Sequence, residues 1–312
     1  MNILITGGAG FIGSNLAVRL LADGHRITVL DNLSSGYKSN LAALPGVDFI
    51  HGDISDQSAV RQATAGREVV FHLAASVGNK RSIDDPVADA ETNVIGTLRL
   101  LEAARHAGVR KFVTSSSAGI FGELKTLPIR EDHPIDPDSP YGASKLCAEK
   151  ETLAFGKLYG IETVCLRYFN VYGPHQRFDA YGNVIPIFVF QALQNETLTI
   201  FGDGDQTRDL VNVHDVVQAN VRAAMTPGLR GAFNIGSGTS ISINCLVGKL
   251  RRVLGVPFEV RYSPPRLGDV RDSLADITAA RNAFGFCPLV GLEEGLSEYV
   301  SWARREFFEY AR

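Results

Sequence analysis

Directly after the apolar run "NILIT", the segment "GGAGFIGSNLAVRLL" sets Gly8-x-Gly10-x-x-Gly13, with Gly7 in front, at the opening of a stretch with helical period. Early glycines in such a turn let the backbone approach an anion closely, and the third lets the helix pack on the strand. The anion then meets N–H groups that are unpaired at a helix N-terminus. The pattern predicts a strand-turn-helix unit that holds the pyrophosphate of a dinucleotide on Gly7, Gly10, Phe11, Ile12 and Gly13. Glycine clusters also occur as plain turns, so the acid that follows matters. Asp31 ends "RITVLD" eighteen residues after Gly13; a carboxylate there accepts from the ribose hydroxyls of NAD and repels the extra phosphate of NADP. Asp53 and Ile54 close the third strand, "VDFIHGD", where they either border the adenine or simply end a strand.

The rest of the chain keeps the same rhythm. Short β-branched runs ("RITVLD", "VVFHLAA", "KFVTSSS", "TVCLRYFN") alternate with helical stretches such as "VIGTLRLLEAARHAG" and "YGASKLCAEKETLAFGKLYG", which predicts βαβ units and a doubly wound parallel sheet of Rossmann type. Glycines at 24, 108 and 160 stand where helices should stop. After residue 171 a Gly/Pro/Asn-rich segment breaks the rhythm. We expect an α/β fold in two parts: residues 1–171 plus about 209–236 as the dinucleotide-binding domain, and about 172–208 plus 237–312 as a smaller, interleaved substrate lobe.

A chain of 312 residues can bury roughly three quarters of its unfolded surface. A net charge of -3 gives no reason to expect nucleic acid or an anionic membrane as partner. The four cysteines are scattered, the seven histidines have no ligand spacing, and no run of 18 apolar residues occurs. The expectation is a soluble, cytoplasmic protein with reduced thiols and no metal.

Chemistry is carried by two segments. The fifth strand ends in "TSSSAGIFG" and places Ser117 at the carboxyl edge of the sheet, where ligands of open α/β folds bind. In "SPYGASK", Tyr141 and Lys145 stand four residues apart, on one face of a helix. Tyrosine has a pKa of about 10, too high for a base at neutral pH. An ammonium group and a positively charged nicotinamide nearby would favour the phenolate, so Lys145 is expected to make Tyr141 a general base, with Ser117 orienting the substrate hydroxyl.

These motifs, with "GDISD", "FHLAA", "ETNVIGTLRLLEAA", "LRYFNVYGP", "GNVIP", "IFGDGDQTRDLVNVHDV", "NIGSG" and "RLGDVRDSLADITAA", resemble over essentially the whole length an extended short-chain dehydrogenase/reductase of the nucleotide-sugar epimerase type. The resemblance implies bound NAD and a UDP-sugar whose C4 hydroxyl is deprotonated by Tyr141 while its C4 hydride passes to the nicotinamide and returns on the other face of a 4-keto sugar. It adds Asn32, Leu73, Ala74, Ala75, Val77, Asn93, Ser115 and Tyr168 to the cofactor site, although Val77 and Asn93 also suit plain packing. It places Asn170 at the sugar and diphosphate and Asn183, Val184, Ile200 and Phe201 at the uridine. Arg208 and Arg266 are assigned to the diphosphate, and Asp269 to nearby hydrogen bonds. It also implies a homodimer through a four-helix bundle of the 91–107 and 141–158 helices.

Within that family, dehydratases and decarboxylases carry a carboxylate just after the serine or threonine of strand five; here stand Ala118 and Gly119. Ser273 occupies the place of a tyrosine that closes the sugar pocket in strict UDP-glucose epimerases, which favours UDP-N-acetylglucosamine and UDP-N-acetylgalactosamine or simply a permissive site. Phe121 replaces a usual tyrosine, removing a hydroxyl near the active site, and "SVGNKRS" departs from the N-acetyl pattern. If Lys80, Arg81 or Arg177 faced the sugar, a UDP-glucuronate 4-epimerase would be the alternative. A non-catalytic dinucleotide-binding protein is another class, against which both Tyr141 and Lys145 argue; a reductase using NADPH is opposed by Asp31.

Overall fold

The computed structural model describes residues 1–42, 44–178, 183–265 and 270–310. Its strands are β1 (Asn2–Thr6), β2 (Arg26–Asp31), β3 (Val47–His51), β4 (Val69–His72), β5 (Lys111–Ser117), β6 (Glu162–Tyr168), β7 (Asn170–Tyr172), β8 (Leu198–Phe201), β9 (Thr207–Arg208), β10 (Leu210–Asn212), β11 (Gly231–Ile235), β12 (Ile241–Ser242) and β13 (Val260–Ser263). Seven of them form one sheet in the order β11-β6-β5-β4-β1-β2-β3, with every pairing parallel. This is the doubly wound arrangement expected from the alternating sequence. The chain runs outward from β1 to β3, then crosses to β4 and runs the other way, leaving a crevice at the carboxyl ends of β1 and β4.

The helices are α1 (Phe11–Ala22), α2 (Ser39–Ala42), α3 (Gln57–Thr64), α4 (Asn79–Asp84), α5 (Pro86–Ala90), α6 (Thr97–His106), α7 (Pro140–Tyr159), α8 (Val184–Leu193), α9 (Val213–Met225), α10 (Ile243–Leu254), α11 (Thr278–Phe284) and α12 (Leu292–Tyr310). Successive strand residues point to opposite faces, and each face has its own core. Ile3, Ile5, Val29 and Phe71 pack with Leu16 and Leu20 of α1 and with Val213, Val216 and Val217 of α9. Leu4, Leu30, Val70 and Phe112 pack with α3 and with Leu100 and Leu101 of α6.

In a third cluster, separate from these two, Ile185, Phe188 and Val189 of α8 meet Leu246 and Leu250 of α10 and Leu296, Tyr299 and Trp302 of α12. Residues 275–286 fall in the later part of the chain, yet Ala275, Ile277, Ala280, Phe284 and Phe286 are buried in the sheet's own core. Their hold is partly a backbone bridge between Ile129 and Ala275. No helix among the described residues is long and apolar enough to cross a membrane.

One element differs from the regular helix read over 91–107. Glu91–Gly96 is a π-helix leading into α6. Such widened turns often mark functional sites, and this one carries Asn93.

Candidate active site

The turn after β1 is built for close approach. Gly7 has φ +71°, and a Cβ on Gly13 would lie 2.2 Å from the Gly7 carbonyl oxygen. Gly10 caps α1 without a side chain, so the N–H groups of its first turn face the crevice uncovered. Asp31, 7% exposed, accepts from Ala9 N at 2.9 Å and Leu33 N at 2.8 Å, which fixes its carboxylate at the end of β2 and ties the glycine turn to it. Asp53 accepts from Asn32 Nδ2 at 2.5 Å and from Ser55 N at 2.7 Å. Burial opposes its charge, but the hydrogen bonds from Ser55 and Asn32 prevail and hold the carboxyl below its ordinary value. A glycine cradle, an uncapped helix start and a fixed ribose-side carboxylate suit a dinucleotide.

At the other side of the crevice, α7 starts at Pro140 because Ser139 caps it, accepting from Gly142 N at 3.1 Å, and proline is pre-set for a first turn. The helix therefore begins where Tyr141 and Lys145 share one face. Lys145 is buried and donates to Ser115 Oγ at 3.4 Å. The Ser117 hydroxyl accepts from Gly119 N at 3.0 Å. Burial pushes the Lys145 ammonium down to about 8, against Cys165, Asp89 and Glu149, which favour its charge. Burial raises the Tyr141 phenol; Ser117 opposes that rise and Asp89 adds to it. The lowering of Tyr141 expected from Lys145 is thus not a property of the chain alone.

The "SVGNKRS" departure sits under the tyrosine. Ser82 Oγ accepts from Tyr141 N at 3.0 Å, and Ser139 Oγ donates to Asn79 Oδ1 at 3.1 Å. Lys80 pairs with Asp84 one turn on. Arg177 donates to Glu306 Oε2 at 2.7 Å and Asn40 Oδ1 at 2.9 Å and stacks on Tyr37, 3.8 Å from the ring centre. That residue braces α12 against the segment beside the glycine turn. Phe121 is fully buried, edge-on to His133 and 5.2 Å from the Arg167 guanidinium, so its missing hydroxyl belongs to a packed cluster.

Among the remaining cofactor-side assignments, Leu73 N donates to Thr6 O at 3.0 Å and Ala74 N reaches Thr6 Oγ1 at 3.4 Å. Ala75 follows them in the loop leaving β4. Val77 is 54% exposed, whereas Ile54 and Asn93 are buried. Tyr168 is buried with its hydroxyl bonded to Asn220 of α9, so it meets a neighbouring helix rather than open space.

Backbone pairing gathers several of the residues expected on the substrate side. Asn170 N and Nδ2 both donate to Asp209 O at 3.2 Å, next to Arg208. Asp209 Oδ2 accepts from Ala275 N at 3.0 Å, and Thr207 N donates to Arg271 O at 3.0 Å. These bonds lay Ser273, 9% exposed, alongside β9 and β10. Asn183 donates to Val171 O at 3.4 Å and Val184 begins α8. Phe201 is half-buried, but Ile200 is 1% exposed and packs inside the lobe. Arg266 and Asp269 lie outside the described residues.

Several groups close to the pair escaped the sequence reading. Glu149, one turn after Lys145, accepts from Ser116 Oγ at 2.7 Å and from Arg167 at 2.7 and 3.0 Å, fastening α7 to β5 and β6. The Lys145-to-Glu149 spacing was the available signal. Asp89 and Ser144, bonded at 2.5 Å, gave none beyond the four-residue step from Asp89 to Asn93.

The sequence profile of the NAD dependent epimerase/dehydratase family matches residues 3–236. The UDP-glucose 4-epimerase of Mycolicibacterium smegmatis is 44% identical over 98% of this chain and 99% of its own length. The UDP-glucose 4-epimerase of Thermotoga maritima, solved with UDP-glucose, superposes with a TM-score of 0.94 at 42% identity, covering 98% of this chain and 100% of that one. A UDP-N-acetylglucosamine 4-epimerase from Methanobrevibacter ruminantium, in complex with UDP-N-acetylmuramic acid, gives a TM-score of 0.93 at 35% identity and covers 98% of each chain. With the glycine cradle, the Tyr141–Lys145 helix and these likenesses together, the chain belongs to the NAD-dependent epimerase/dehydratase family of enzymes.

Proposed function

We propose that the protein is an NAD-dependent UDP-sugar 4-epimerase that accepts 2-acetamido sugars, UDP-N-acetylglucosamine and UDP-N-acetylgalactosamine, as well as UDP-glucose and UDP-galactose. The observation that carries epimerisation over elimination is at Gly119. A Cβ there would lie 3.3 Å from Ser117 Oγ and 3.8 Å from Tyr141 Cε1, so a carboxylate at this position would stand against the reacting hydroxyl, and the chain has none.

Bound NAD supplies the acceptor and donor of hydride for the sugar C4. Ser117 holds the C4 hydroxyl, and Tyr141 takes its proton and later returns it. Lys145 keeps positive charge beside the phenolate in a place that water does not screen. Burial raises the Tyr141 phenol, so the phenolate would need the positive charge that oxidised nicotinamide would bring beside it together with Lys145. That coupling makes the base competent when oxidised cofactor is present.

The lobe of residues about 172–208 and 237–312 binds the nucleotide sugar, with Asn170, Asn183, Val184, Phe201 and Arg208 at the uridine diphosphate and Ser273 at the sugar C2. Ile200 supports this surface from within the lobe. Two copies pair through α6 and α7, a reading supported by the exposed apolar residues Val87 and Ile95 just before α6 and by Leu158 near the end of α7.

The test is kcat/KM for both sugar pairs in the wild type and in Ser273→Tyr. The wild type should turn over both, and the variant should lose tenfold or more on the N-acetyl pair, about the size of a steric pocket effect, while keeping UDP-glucose. A wild type inactive on the N-acetyl pair, or a variant with unchanged preference, overturns the substrate assignment.

A further inference from the structure

The reaction as described gives no role to Asp89, a carboxylate 1% exposed in α5. Its Oδ2 accepts the Ser144 hydroxyl at 2.5 Å and its Oδ1 accepts Asn93 Nδ2 at 3.1 Å. Ser144 stands between the two reacting side chains in sequence, and its Oγ lies 3.0 Å from the Tyr141 carbonyl oxygen. Asn93 in turn grips the loop after β4 from both sides: its Oδ1 accepts Ser76 N and its Nδ2 donates to Ser76 O, each at 2.9 Å. One carboxylate thereby joins the first turn of α7 to the loop on the cofactor side of the crevice.

The network extends to the sheet with its donors fixed. Thr97 Oγ1 spends its proton on Asn93 O at 2.6 Å, so its 2.8 Å contact with His72 is donated by Nε2–H. Nδ1 of the same ring then accepts the Thr6 hydroxyl at 2.8 Å. Burial, followed by the nearby Lys145 charge, pushes His72 down to about 3, so the ring is neutral and holds one tautomer. The polar groups around Asp89 therefore have little freedom to rearrange.

We propose that Asp89 is a positioning residue for the general base: through Ser144 and Asn93 it locks the start of α7 against the cofactor-side loop, and its carboxylate balances the buried Lys145 ammonium. The inference rests on Tyr141 being the base of the proposed reaction. Lys145 is faced by Asp89 from α5, Glu149 from its own helix, Cys165 from β6, His72 from β4 and Ser115 from β5. Tyr141 is faced by Ser117 and Asp89. The elements packed against α5 add Lys80, Arg81 and Asp84 of α4 and Glu91 of the π-helix; Lys80 and Asp84 pair with each other at the surface. Asp89 favours protons on both Tyr141 and Lys145, so removing its charge moves both ionisations toward acid.

The experiment follows tyrosinate absorbance of the NAD-loaded protein against pH, as the difference from Tyr141→Phe, together with the pH profile of kcat/KM. Asp89→Asn should shift the Tyr141 ionisation and the acid limb toward lower pH by about 1 unit. Ser144→Ala, which keeps the charge but cuts the link, should leave both in place and lower kcat roughly tenfold through misplacement of the base. An unshifted titration in Asp89→Asn, or the same behaviour in the two variants, overturns the proposal. If Asp89→Asn does not fold, Asp89→Glu carries the test: it should keep the wild-type titration with reduced kcat, and an acid shift would overturn the role of the charge. A wild type that turned over no UDP-sugar would defeat the proposed reaction but leave the tyrosinate titration as a test of Asp89.

Discussion

Tyr141 in the bare chain is a protected phenol, raised by burial and by Asp89 and eased only by Ser117. Its partner has the opposite problem, an ammonium that burial brings down to about 8. The proposed catalysis at neutral pH therefore uses a window in which Lys145 is still charged. As pH rises through about 8 the ammonium is lost, and kcat/KM should fall on that limb; a flat profile to well above this point would separate Lys145 from the reaction. Tyr141→Phe should lower kcat by roughly 10²- to 10⁴-fold, the usual worth of a placed acid-base group, with bound NAD still present by absorbance. The four-residue spacing placed both residues one turn apart on a helix from sequence, and both lie on α7. The direction of the Tyr141 shift was not legible, since it depends on burial and on Asp89, which is distant in the chain and brought in by packing.

At the scale of elements, the glycine turn and the strand-end position of Asp31 were both readable, since each is a local rule of backbone geometry. The π-helix at Glu91–Gly96 was not. "ETNVIG" has the period of an ordinary helix, and the widened turn coincides with the bonds that Asn93 makes to Ser76 and Ser144, both distant in the chain, and to Asp89 four residues before it. The seat of α7 on the sheet is likewise a long-range matter. Glu149 and Arg167 are 0% and 4% exposed at the side chain and meet at 2.7 Å. Removing one partner leaves a buried charge, so Arg167→Ala should cost about 3–5 kcal/mol in denaturant unfolding. A loss within experimental error would mean that α7 is held by its apolar contacts alone.

For the whole molecule, the alternating rhythm made the doubly wound sheet legible, whereas the seam between sheet and lobe was less so. Residues 275–286 return to the sheet's core although nothing local marks them, because their partners are Ile129 and Asp209. Near the glycine turn, Ser14 Oγ contacts His175 Nδ1 at 2.7 Å, and the His175 ring meets Trp302 of α12 edge-on. Trp302 also stacks on Tyr299 with ring centres 5.6 Å apart. Trp302→Ala should therefore destabilise the protein by about 3–5 kcal/mol; unfolding at an unchanged denaturant midpoint would show that α12 is not needed to hold the lobe.

The central claim is that the hydrogen at C4 leaves and returns within one site without exchange with water. Proton NMR of the purified protein with UDP-glucose in deuterium oxide tests it directly. UDP-galactose should appear with protium retained at C4. Deuterium at C4, or no galacto-configured product from UDP-glucose or UDP-N-acetylglucosamine when NAD is supplied, would contradict it.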